Sequence, residues 1–70
     1  MDNAEAKQVI TSMQPVQFDA VGLLIAPEDG SAAYAVNPGD QRLVLQGILT
    51  TEQTQALVTY ALDPVGVANA

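Results

Sequence analysis

Apolar residues first recur at a helical spacing, in residues 2–14, DNAEAKQVITSMQ. Ala6, Val9, Ile10 and Met13 stand at i, i+3, i+4 and i+7, one stripe of a helix. Asp2 and Glu5 have the spacing of a capping box, with Asp in place of the usual Ser or Thr, and both acids lie at the positive end of the helix dipole. Gln14-Pro15 ends the element, because the residue before a proline avoids the helical region.

In residues 16–26, VQFDAVGLLIA, the period shortens. Val16, Phe18 and Ala20 alternate with Gln17 and Asp19, the pattern of a half-buried strand. From Val21 to Ile25 the alternation stops and both faces are apolar. The segment reads as one strand whose second half is covered on both sides, or on one side by a partner. PEDGS, residues 27–31, is a loop, with Asp29-Gly30 supplying the positive φ of a tight hairpin. AAYAV alternates again, placing Tyr34 and Val36 together, and NPGD, residues 37–40, has the composition of a type II turn.

Residues 42–50, RLVLQGILT, fit two patterns. As a strand they put Leu43, Leu45 and Leu49 on one face; as a helix they would be apolar nearly all round. The preceding turn and the β-branched residues favour the strand. Residues 50–62 form a second helix, with Thr50 and Gln53 as a capping box and an apolar stripe of Ala56, Leu57, Tyr60 and Ala61. Asp63-Pro64 stops it, leaving 63–70 as a flexible tail or one held by a neighbour.

The predicted fold is α+β: a short antiparallel three-stranded meander flanked by an N-terminal and a C-terminal helix, one small domain over residues 1–70. With both helices on one sheet face, the other is open. The set Val21, Leu23 and Ile25 opposes the set Phe18, Ala20 and Leu24, and only one set can lie beneath the helices. Val21, Leu23 and Ile25 are the expected contact residues of the exposed side, joined by Tyr34 if it faces outward on its strand; the alternative for Tyr34 is a place in the core.

Composition strengthens the expectation of a partner. Apolar residues make up 49% of only 70, and conformational entropy nearly cancels the gain from so small a core. No cysteine is present to form a disulfide or thiolate metal site, and no histidine to bind zinc or copper. Surplus apolar surface on such a chain points to a homo-oligomer, a dimer being the commonest form, or to another protein whose identity the sequence does not give.

Charge narrows the partner. Eight carboxylates against Lys7 and Arg42 give a net −6, which disfavours phosphate backbones and anionic membranes. The longest apolar run, Ala20 to Ala26, is too short to span a bilayer, and the acidic N-terminus lacks the basic start of a secretory signal; the expected location is cytoplasmic.

Catalytic chemistry finds few materials. Serine needs a base within reach, and Lys7 is the only side-chain amine. Glu28 and Asp29 are adjacent in a turn and diverge, and with Ser31 they fall short of the six or more oxygens calcium takes. Neither glycine turn has phosphate-loop spacing. No catalytic, cofactor or metal site is expected. The profile is that of a small acidic non-enzymatic interaction protein working by protein binding and self-association, like the compact inhibitors and adaptors of viruses and mobile elements. The alternative is a structural subunit of a virion or other assembly.

Overall fold

The computed structural model describes residues 1–70 as two packed layers. Helix α1 (Asn3–Ser12) is followed by strands β1 (Gln17–Phe18), β2 (Leu23–Ile25), β3 (Ala33–Asn37) and β4 (Arg42–Gln46), then helices α2 (Thr51–Leu62) and α3 (Pro64–Ala68). The strands form one antiparallel sheet in the order β1-β2-β3-β4.

Both long helices start at the predicted caps. The Asp2 carboxylate accepts the Glu5 N–H at 2.8 Å, and Thr50 and Gln53 form a reciprocal capping box with both bonds at 3.0 Å. The predicted stripes turn inward, except for Ala61, which is exposed. Ala6 and Ile10 of α1 join Ala56, Leu57 and Tyr60 of α2 in one buried cluster, with Val9 and Met13 packed at its margin.

The meander has four strands rather than three, because residues 16–26 fold back on themselves. Asp19 makes the corner: its carboxylate accepts the N–H groups of Val21 and Gly22, both at 2.9 Å, and its own N–H donates to the Gly22 carbonyl at 3.1 Å. Asp side chains favour such turns because they offer the backbone a local acceptor. The loss of alternation at Val21 is therefore a turn. Gln17 then pairs with Leu24, and Phe18 with Leu23.

The turn between β3 and β4 also departs from expectation. Gly39 takes no positive φ; the left-handed residue is Gln41, at φ 52°. Asn37 organises the corner instead, its side-chain oxygen accepting the Asp40 N–H at 3.3 Å. Residues 42–46 are a strand, the first of the two patterns, and Gly47 ends it at φ 126°. A Cβ there would sit 2.7 Å from the Tyr34 hydroxyl, so only glycine lets the chain turn toward α2 so close to β3.

The C-terminal residues are not a free tail. Asp63 caps α3, accepting the Gly66 N–H at 3.1 Å, with Pro64 in the first turn, where its missing donor costs nothing. Val67 is fully buried in the core. Asn3 reaches the Asp63 carboxylate at 3.1 Å and Lys7 the Ala70 carbonyl at 3.0 Å, tying the two ends of the chain together.

Candidate interaction surface

Strand register decides which side chains meet the helices. Phe18, Leu23, Val36 and Leu43 form one cross-strand row, and Ile25, Tyr34 and Leu45 the next, all on the helix side. Gln17, Leu24, Ala35 and Val44 form a row on the opposite side. Three of the four expected contact residues thus lie in the core: Leu23 and Ile25 are each 2% exposed and Tyr34 is 4% exposed. The Tyr34 hydroxyl donates to the Ile48 carbonyl at 3.0 Å, satisfying its one polar group. Only Val21 is exposed, at the β1–β2 corner. A charge at Leu23 would enter the core and unfold the chain rather than part it from a partner.

The helix layer does not cover the whole sheet. Helix α2 packs against β3, and β4 lies beyond it. Every residue of β4 is exposed, including Leu43 and Leu45, which point to the helix side. Between β4 and α2 runs an apolar groove of about 110 Å³, lined by Leu43, Leu45, Leu49, Leu57, Val58 and Leu62, with Thr54 its one polar neighbour. Ile48, almost fully exposed, follows at the end of β4. Four of the eleven large exposed apolar residues, Leu43, Leu45, Val58 and Leu62, line this groove, whereas the back of β2 exposes only Leu24. The outer edge of β4 adds a row of backbone groups with no strand beside it.

Leu43, Leu45 and Leu49 meet in this groove, as the alternation predicts, but the free surface lies on β4 and not at Leu23 and Ile25. The short connection from Gly47 to Thr50 sets α2 over β3 and leaves β4 overhanging.

The polar groups of the loops serve the turns. The Asp29 carboxylate accepts the Ser31 N–H at 2.9 Å, and Asn37 donates to the Asp40 carboxylate at 3.3 Å. No group of three Asp or Glu side chains is gathered to hold a metal ion. No helix is long and apolar enough to cross a membrane. Comparison with protein-family models, curated proteins and solved structures finds no match.

The hydrogen bonds that shape the corners also set the pH response. N–H groups of Glu5, of Gly22 and Val21, and the Ser31 hydroxyl and N–H, respectively hold the carboxyls of Asp2, Asp19 and Asp29 below their ordinary value. Burial, then the nearby Asp19 charge, raises the Tyr60 hydroxyl above its ordinary value. A carboxyl lowered by folding stabilises the fold above its unfolded value of 3.8, and that contribution is lost as pH falls through the lowered value. A raised tyrosine stabilises below 10.0, its contribution disappearing as pH rises through the raised value. With no histidine, thermal unfolding should give a melting temperature flat across neutral pH, falling at the acid and alkaline extremes. A step near pH 6.5, the ordinary value of histidine, would contradict this assignment.

Proposed function

We propose that this chain is a non-enzymatic interaction protein that works by self-association and protein binding through the edge formed by β4 and α2. The observation that carries the reading is that β4 is exposed on both faces and along its outer edge, while its two leucines and α2 enclose an apolar groove. Small domains rarely leave such surface uncovered unless another protein occupies it. The groove walls carry no charge, and a strand edge offers backbone donors and acceptors to an incoming strand.

The −6 charge agrees with a protein partner rather than nucleic acid or an anionic membrane. A subunit of a larger assembly is the second reading, favoured by the further apolar row Leu24–Ala35–Val44 on the back of the sheet. Sedimentation equilibrium across a wide concentration range tests the proposal. The expected result is a limiting mass of a small closed oligomer that reverts to the 7.3 kDa chain when the β4–α2 edge is charged by substitution. An association unaffected by such a charge would overturn it, and a chain that stays monomeric at every concentration would overturn self-association. Open-ended growth would favour the assembly subunit.

A further inference from the structure

We infer that the occupant of the β4 edge is a second copy of this chain, its β4 paired antiparallel to the first about a two-fold axis through Val44. The inference rests on the β4–α2 edge being the contact surface and adds the partner, the symmetry and the register.

The first support is the pattern of the strand. Arg42-Leu43-Val44-Leu45-Gln46 reads polar, apolar, apolar, apolar, polar in both directions. Directly opposed residues of an antiparallel pair point to the same face, so the two copies can align only residues of like parity. Centred on Val44, the pairing sets Leu43 of each copy against Leu45 of the other on the helix side. It sets Val44 against Val44 and Arg42 against Gln46 on the back. Centring on Leu43 instead would oppose Arg42 to Val44, and centring on Leu45 would oppose Gln46 to Val44.

The second support is charge. Two copies at −6 repel, and the repulsion is least where they meet on a surface free of acids. The sequence has no carboxylate between Asp40 and Glu52, and the groove lining has none. Arg42, the only arginine, stands at the edge itself, and the Val44 register keeps the two arginines apart at opposite ends of the pair. A self-complementary strand generates an isologous, closed contact. The result is one continuous eight-stranded sheet, with four leucines clustered at its centre on the helix side and two apolar grooves flanking them.

Because the chain has no cysteine, single substitutions report the register without background. Val44→Cys should form a disulfide-linked dimer rapidly under mild oxidation, while Leu45→Cys, two residues out of register with its own copy, should lag at least tenfold. Circular dichroism of each reduced variant checks that it remains folded. Sedimentation of wild type and Leu45→Glu runs alongside. Fast cross-linking of Val44→Cys alone supports the inference. Equal cross-linking of both variants, or faster linking of Leu45→Cys, overturns it. A dimer dispersed by Leu45→Glu in which Val44→Cys fails to link overturns the register and leaves the β4–α2 edge as the contact surface. A dimer indifferent to Leu45→Glu overturns both. Wild type that stays monomeric overturns the second copy as occupant, and the edge then belongs to a different protein.

Discussion

Leu45→Glu should leave the fold intact and abolish self-association. Leu45 is 48% exposed in the single chain, so a glutamate there keeps its carboxylate in water, and surface changes of this kind usually cost within about 0.5 kcal/mol. In the paired state the same position lies among leucines of both copies. Two carboxylates would lose water there without a cation to pair with. A buried unpaired charge costs several kcal/mol, and each ~1.4 kcal/mol is tenfold in affinity. Association should therefore weaken by at least about a hundredfold, on the lower side of that penalty. The far-ultraviolet dichroism and melting temperature of the variant should match wild type, while its sedimentation mass stays that of one chain. A variant that unfolds would show that Leu45 belongs to the core, which its exposure denies.

Tyr60→Ala should destabilise the chain severely. Tyr60 is wholly buried and touches three parts of the structure. It fills the core between the helices, meets Phe18 edge to face with ring centroids 5.8 Å apart, and donates its hydroxyl to the Asp19 carbonyl at 2.7 Å. The last bond fastens α2 to the corner where β1 turns into β2. Truncating a buried aromatic costs about 3–5 kcal/mol. Native domains hold a margin of roughly 0.05–0.15 kcal/mol per residue, about 3.5–10.5 kcal/mol for 70 residues, so the loss removes from about a third to all of the stability. Tyr60→Phe separates the two contributions: it keeps the ring and leaves the Asp19 carbonyl without its donor, for a loss of about 1–2 kcal/mol. Thermal unfolding followed by dichroism ranks the three proteins as wild type, then Tyr60→Phe, then Tyr60→Ala. Equal melting temperatures for wild type and Tyr60→Ala would contradict the account of the core.

The helices were legible because their signals are local. A stripe at i, i+3, i+4 and i+7 and a capping residue three positions before its partner lie within one stretch of chain, and α1 and α2 begin where those signals put them. Residues 16–26 misled because the corner at Asp19 has neither proline nor an Asn-Gly pair. Its Asp-Ala-Val-Gly resembles strand until the Asp side chain is seen bonding two N–H groups ahead. The tail was misread for a related reason: what orders Pro64–Ala68 is the burial of Val67 against residues some sixty positions earlier.

The uncovered apolar surface shows the same limit. Period-two patterning set Leu23 and Ile25 correctly against Leu24 but wrongly put Phe18 with Leu24, because the corner at Asp19 returns Phe18 to the side of Leu23; nor does parity alone say which set the helices cover. The placement of α2 over β3 settles that, covering Leu23 and Ile25 and leaving Leu43 and Leu45 in the open. The expectation of uncovered apolar surface thus followed from composition, whereas its address on β4 followed from tertiary packing.

The most direct measurement of the central claim is an isotope-filtered nuclear Overhauser experiment on a mixture of labelled and unlabelled wild-type chains, which reports only contacts between copies. The account predicts intermolecular contacts between the methyl groups of Leu43 and Leu45 and between the two Val44 side chains, with none from the loop 27–31. Intermolecular contacts confined to Leu24 and Ala35, or a concentrated sample showing none, would contradict it.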